Sequence, residues 1–354
     1  MNERTPTAEV AAGPRRVPPG WRVRFAHHRI TLDDGHRIGV SVGGRGVPLV
    51  FFHGIGMNRR AYLRLLNRLP QLGFLVVAID APGHGDSLAP PRGQDTFGRR
   101  VAITERVLDA LGIERGVLVG HSMGGRTAAE LAARRPERTL AVVLIDPALG
   151  DEFDEDRSRV RSPLKLGAGL AAGVADLARD WVGLITFDYV YHVQNVGSVM
   201  MRTLLRPGDF MAAAKAIASA DLSAIALRRI AHNRTPVAIV HGEKDMLVSL
   251  QSAAGAAHLS GAALVTLPRA FHSWVLTTPW TFSAIMAQLL AERRLGPDLY
   301  KALARCAATT PTPEKPGTLY RRGAPALSMA PPLSVIGAAE PRQQHRFHEF
   351  RIWE

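Results

Sequence analysis

Gly116-Val117-Leu118-Val119-Gly120-His121-Ser122-Met123-Gly124-Gly125 runs from a short apolar strand pattern straight into a helical pattern that continues to Ala133. Gly-x-Ser-x-Gly between a strand and a helix describes a nucleophile elbow, a strained turn that lifts a serine hydroxyl above the edge of a sheet. The flanking glycines answer a steric need, because strand and helix approach too closely there for side chains. The start of the following helix also points free amide groups toward any negative charge that develops beside the serine.

Working outward, the chain from Val23 to Arg294 alternates short apolar runs with helical patterns, which predicts an α/β fold with a mostly parallel sheet and helices on both faces. Two opening strands, near Val23 to Leu32 and His36 to Val42, flank the turn sequence Asp33-Asp34-Gly35 and should form an antiparallel edge. Six further runs, Pro48 to Phe52, Phe74 to Ile79, Gly116 to Val119, Leu140 to Ile145, Val237 to Val240 and Ala263 to Leu267, fit parallel strands buried on both faces. Helical patterns at Arg59 to Leu69, Phe97 to Leu111 and Met123 to Ala133 supply crossovers.

One interval breaks this rhythm. Ninety residues separate Asp146 from Val237, where a crossover needs about a dozen or more. An insertion of several short helices after the sixth strand is expected over residues 149–235. Its opening acidic run, Asp151 to Asp156, could be read as a cation site, but a solvated helix start favoured by the macrodipole is the simpler reading. The core is therefore expected over 22–148 and 236–296. Residues 1–21 and the tail 297–354, which has eight prolines between Pro297 and Pro341, have the composition of largely disordered segments. Deleting 305–354 should then leave activity largely intact.

Composition excludes several classes. At 354 residues, 46% apolar and 21% charged, the chain is globular, not disordered throughout. Met246 to Pro268 and Ala270 to Ala291 lack charge but contain His, Gln, Pro and hydroxyl residues, so no transmembrane helix is expected. The first thirty residues carry six Arg and no signal-peptide pattern, which favours a cytoplasmic location. Cys306 is the single cysteine, so disulfide and thiolate-cluster chemistry are not expected. The net charge of +13 invites a nucleic-acid reading, but over half of it lies in the two ends and Arg outnumbers Lys 39 to 5, so a basic surface without a polyanion partner is favoured. Oligomeric state is not legible in these patterns.

A serine hydroxyl needs a base, usually a histidine oriented by a carboxylate. Among thirteen histidines, His53, His84, His121 and His241 adjoin glycines or turns and read as structural, and His258 lies in a helical pattern at the wrong edge of the sheet. His272 follows the Ala263 to Leu267 run by a short loop, on the same edge as Ser122. Asp245 follows Val237 to Val240 and is the favoured acid; Asp146, after Leu140 to Ile145, is the alternative. Asp80 and Asp86 should hold the loop from Asp80 to Ser87. His53-Gly54-Ile55-Gly56 can aim a backbone amide at a forming oxyanion, Ile55 preferred and Gly54 the fallback, with Met123 as the second donor.

With the order Ser122, Asp245, His272, the His53-Gly54 loop and the Asp80 to Ser87 loop, the region Arg22 to Gly296 resembles the α/β-hydrolase family, in its capped esterase and lipase-like branch. The resemblance implies that the insertion is a cap over the active site. Departures are visible: serine stands where epoxide hydrolases and haloalkane dehalogenases carry aspartate, the oxyanion loop lacks the long glycine run of hormone-sensitive-lipase-like esterases, and Phe271-His272-Ser273-Trp274 is bulkier than usual. The expectation is a serine hydrolase acting on a small apolar carboxylic ester, with no metal or organic cofactor. Trp274, Phe187, Tyr189, Tyr191, Met200, Met201 and Met211 are candidate pocket residues, with ordinary core packing as the competing explanation. Acyl transfer, C–C bond hydrolysis and perhydrolysis would use the same triad, and a non-catalytic ligand sensor is the alternative of another class.

Overall fold

A computed structural model describes residues 22–91, 93–155, 207–308, 319–333, 335–336 and 349–353. Six apolar runs become the parallel strands β4 (Val47–Phe52), β5 (Phe74–Ile79), β6 (Gly116–His121), β7 (Thr139–Ile145), β8 (Val237–Gly242) and β9 (Ala263–Leu267). Every residue of β4 to β8 is buried, which is why these strands read as continuous apolar runs without alternation. The opening hairpin, β2 (Ala26–Thr31) and β3 (Arg37–Gly44), is antiparallel, and Gly35 takes φ 80° at its turn. A two-residue strand β1 (Arg22–Val23) precedes it. Among the described residues the sheet has nine strands, in the order β11 (Arg351–Trp353)-β9-β8-β7-β6-β4-β5-β3-β2, so the hairpin forms one edge as expected.

Helices pack on this sheet. Arg59 to Leu69, expected as one helix, is broken: a 3₁₀ turn at Arg59–Tyr62, capped by the Asn58 side chain, precedes α1 (Leu63–Leu66), and Pro70 opens a second 3₁₀ turn over Leu69–Leu72. α2 (Phe97–Ala110) is capped by the Thr96 hydroxyl, and α3 (Met123–Arg134) follows the serine turn directly. After β7 come α4 (Asp151–Glu155) and then, beyond residues 156–206, which lie outside the described residues, α5 (Pro207–Ala218) and α6 (Ser223–His232). α6 buries Ala226, Leu227 and Ile230 and packs along α3, the role of a core crossover helix. Residues 223–232 therefore lie with the core, not with the expected insertion. α7 (Leu250–Ser260), α8 (Trp274–Thr277) and α9 (Trp280–Ala291) complete the core.

The described parts of the tail are ordered, contrary to expectation. α10 (Pro297–Ala308) buries Leu299 and Ala302, and a short helix, α11 (Pro325–Met329), follows. Tyr320 is buried, and its hydroxyl donates to the carbonyl of Gly46 at 2.5 Å. β10 (Val335–Ile336) pairs with β1, and β11 (Arg351–Trp353) adds an antiparallel strand to β9. Alanine supplies much of the buried surface here, at positions 302, 324, 326 and 330, and so small a side chain leaves little periodic signal in a proline-rich sequence. Residues 1–21 and the remaining tail positions lie outside the described residues. Among the described residues no single helix is long and apolar enough to cross a membrane.

Candidate active site

The carboxyl ends of β4, β6, β7, β8 and β9 carry the functional loops, because a parallel sheet sends all of these strands to the same edge. Ser122 sits between β6 and α3 at φ 54° and ψ −118°, a backbone conformation that L-residues rarely adopt. Its neighbours explain how that strain is enforced. A Cβ on Gly120 would lie 2.0 Å from the carbonyl oxygen of Gly124, and one on Gly124 would lie 2.1 Å from that of Phe52. Only glycine lets β6, α3 and β4 come this close, so the two positions read as steric in the sequence are steric in the fold.

Asp245 and His272 are brought into contact. The Nδ1–H of His272 donates to Oδ2 of Asp245 at 2.7 Å, while Oδ1 accepts the amides of Leu247 at 2.7 Å and Val248 at 2.9 Å. Burial works against the Asp245 charge, but His272 beside it and these hydrogen bonds hold the carboxyl below its usual range. With Nδ1 carrying the proton, Nε2 of a neutral His272 is left as the basic nitrogen.

Asp146, the alternative acid, is engaged elsewhere. Its Oδ1 accepts the Gly242 amide at 2.8 Å and its Oδ2 accepts Nε1–H of Trp274 at 2.7 Å. Complete burial and the nearby Asp245 charge push it well above the ordinary carboxylate range. Trp274, for which pocket lining and core packing were both open, is wholly buried and ties the His272 segment to the end of β7, which favours the packing explanation. Met211 is exposed on α5, whereas Phe187, Tyr189, Tyr191, Met200 and Met201 lie outside the described residues.

The loop after β4 is stapled by neutral histidines, as their turn positions suggested. His53 donates from Nδ1 to the Gly54 carbonyl and accepts the Ala81 amide at Nε2, and burial lowers its pKa to about 4. His84 accepts the Gly56 amide at Nε2, with burial lowering it to about 3. The Gly54 amide donates to the Tyr62 hydroxyl at 3.3 Å. Among the described residues no acceptor takes the amide of Ile55 or of Met123. Asp80 accepts the Arg59 and Asp86 amides and pairs with the Arg59 guanidinium, holding its loop as expected.

Sequence reasoning missed Arg126. Four residues past the serine, it is buried and donates to Asp154 at 3.0 Å and to the Asp221 carbonyl. Asp154 in turn accepts the Ser223 amide and hydroxyl, so the acidic run after β7 is not wholly a solvated helix start. No periodic signal marks an arginine whose partners come from distant segments.

Among the described residues, two trios of side chains are close enough to share an ion: His121, Asp146 and His272, and Asp146, His241 and Asp245. Their polar atoms are largely committed within the protein, His272 to Asp245, Asp146 to Gly242 and Trp274, and His121 to the His272 carbonyl. A metal would have to displace those bonds.

The family model for the alpha/beta hydrolase fold matches residues 47–279, the span that holds this whole arrangement. The chain belongs to the α/β-hydrolase family. This α/β hydrolase is 34% identical over 271 residues to a protein of Mycobacterium phage D29 named as a non-heme haloperoxidase, covering 75% of this chain and 95% of that protein. It is 28% identical over 274 residues to the 2-hydroxymuconate semialdehyde hydrolase of Pseudomonas sp. strain CF600, covering 73% and 92% of the two chains. Among solved structures, a carboxylesterase of the ammonia-oxidizing Thaumarchaeon Nitrososphaera gargenis superposes with TM-score 0.60 at 21% identity, covering 75% of this α/β hydrolase and 98% of that chain.

Proposed function

We propose that the protein is a serine hydrolase that cleaves a small apolar carboxylic ester through an acyl-enzyme intermediate. The observation that carries this reading is the 2.7 Å hydrogen bond from His272 Nδ1–H to Asp245, made on the same sheet edge as the strained Ser122. In the first step His272 Nε2 takes the Ser122 proton as the oxygen attacks the ester carbonyl, and Asp245 stabilises the imidazolium that forms. The amides of Ile55 and Met123 receive the oxyanion; the Gly54 amide, already donating to Tyr62, supports Ile55 over the fallback. His272 then protonates the departing alkoxide. Water, deprotonated by the same imidazole, releases the acid and restores Ser122.

The apolar preference rests on the insertion after β7 serving as a cap. Hydrolysis of p-nitrophenyl esters from acetate to palmitate, run beside Ser122→Ala and with a fluorophosphonate label located by mass spectrometry, tests the reading. Wild-type turnover, its loss in Ser122→Ala and a label on Ser122 are expected. Asp245→Asn should lower kcat about 10⁴-fold, since the histidine tautomer is then no longer fixed. Asp146→Asn should cost far less, and the reverse order would make Asp146 the acid.

The likeness to the phage haloperoxidase favours a second reading on the same residues, perhydrolysis. Hydrogen peroxide would replace water in the second step and leave with the acyl group as a peracid. Peroxide-dependent bromination of a dye in acetate buffer, abolished in Ser122→Ala, would support it.

A further inference from the structure

Tyr62 and His121 lie in the interior behind the reacting groups, and no step of the hydrolysis uses them. They nevertheless join three functional segments. The Gly54 amide, one residue before Ile55, donates to the Tyr62 hydroxyl at 3.3 Å. That hydroxyl lies 2.9 Å from Nδ1 of His121, the residue before Ser122. Nε2 of His121 lies 3.2 Å from the backbone carbonyl of His272, and the two imidazoles meet at a tilt of 46° with centroids 4.6 Å apart.

The direction of each bond follows from what each atom can do. A carbonyl oxygen only accepts, so His121 carries its proton on Nε2. The neutral ring then accepts at Nδ1, and the Tyr62 O–H donates to it. The tyrosine oxygen is left to accept from Gly54, which closes the sequence with no conflict. Burial and the neighbouring His272 keep His121 well below the ordinary histidine range, which preserves the neutral ring on which this order depends. The space is equally determined, since a Cβ on Gly54 would lie 3.0 Å from His121 Nδ1, 3.2 Å from the Tyr62 oxygen and 3.4 Å from the Ser122 Cβ.

We propose that Tyr62 and His121 form a one-directional hydrogen-bond relay that fixes the oxyanion loop, the nucleophile and the base in mutual register, making both of them positioning residues for the hydrolysis. The proposal rests on the reading of Ser122 and His272 given above. Anchoring Gly54 orients the Ile55 amide, and anchoring the His272 carbonyl holds the backbone from which the imidazole projects. Losing either anchor would let reacting atoms drift by a fraction of an ångström to an ångström, enough to cost about a hundredfold in rate.

Tyr62→Phe removes one oxygen and keeps the ring that packs on Phe51. His121→Leu removes both nitrogens, and His121→Gln restores one acceptor and one donor. The experiment measures p-nitrophenyl acetate turnover with each count of active sites taken from saturating fluorophosphonate label on Ser122, so that unfolded protein does not contribute. Tyr62→Phe and His121→Leu should lose about tenfold to a hundredfold in kcat per labelled serine, with KM within about threefold of wild type. Inhibition by phenylboronic acid, whose boronate occupies the oxyanion position, should weaken by a similar factor. His121→Gln should recover at least about tenfold over His121→Leu. Full kcat per labelled serine in Tyr62→Phe, or equal losses in the Gln and Leu variants, would overturn the relay alone. Wild-type turnover with no label on Ser122 would overturn the reading beneath it as well.

Discussion

Single residues around the site are held in one protonation state, and that has a consequence for stability. His53 and His84 are neutral in the fold, with pKa values lowered to about 4 and about 3 by burial, whereas the unfolded chain protonates each near about 6.5. The unfolded state therefore binds more protons below pH 6.5, and stability falls as pH falls toward 4. At pH 5 each histidine should cost on the order of 2 kcal/mol relative to pH 7. Melting temperature should drop between pH 7 and pH 5, and His84→Gln should reduce the drop; a flat melting profile over that interval would rule out neutral burial. At this scale Ser122, Asp245 and His272 were legible because each follows a strand by a turn or short loop, which fixes its edge of the sheet. His121 was legible as a structural histidine, though its partners were not; Trp274 and Tyr62 were not legible, because an aromatic beside apolar residues has the same pattern whether it packs, lines a pocket or makes a buried hydrogen bond.

Elements are coupled through one buried charge. Arg126 on α3 ties α4, through Asp154, to the start of α6, through Asp221 and Ser223, so the helix that follows Ser122 holds together segments on both sides of residues 156–206. Arg126→Met would strand the Asp154 carboxylate among buried groups and should destabilise by about 3–5 kcal/mol. Arg126→Met with Asp154→Leu removes both charges and should recover much of that loss. Urea unfolding of the two variants checks it, and equal destabilisation would mean that the stranded Asp154 carboxylate is not the source of the loss. Strands and long crossovers were readable from apolar runs and periodicity. The short pieces at Arg59–Leu72 were not, because Asn58 and Pro70 act through capping and backbone chemistry that a helical stripe conceals.

At the scale of the whole molecule, the described tail is part of the core it follows. Tyr320 bonds the turn before β4, and Leu299, Ala302 and Ala326 are buried. Deleting 309–354 removes Tyr320, Ala326 and two strands, and should lower the melting temperature on the order of 10 °C, on the scale of losing one large buried side chain. Unchanged melting would return the tail to the disordered segment its composition suggested. The strand rhythm from β4 to β9 was legible as apolar runs; the tail was not, because alanine and proline give no period to read.

β1 and β10 add something to this picture. Arg22 and Ile336 face each other across a two-residue antiparallel ladder, a gap of about 5 Å. The polypeptide between them is thus almost a ring, fastened by a non-covalent clasp. A short linker across that clasp would make the ring covalent, and new ends could be opened at the exposed turn Asp33-Asp34-Gly35 without cutting a central strand. Such a circular permutant would carry its ends on the rim of the sheet, far along the strand order from β8 and β9.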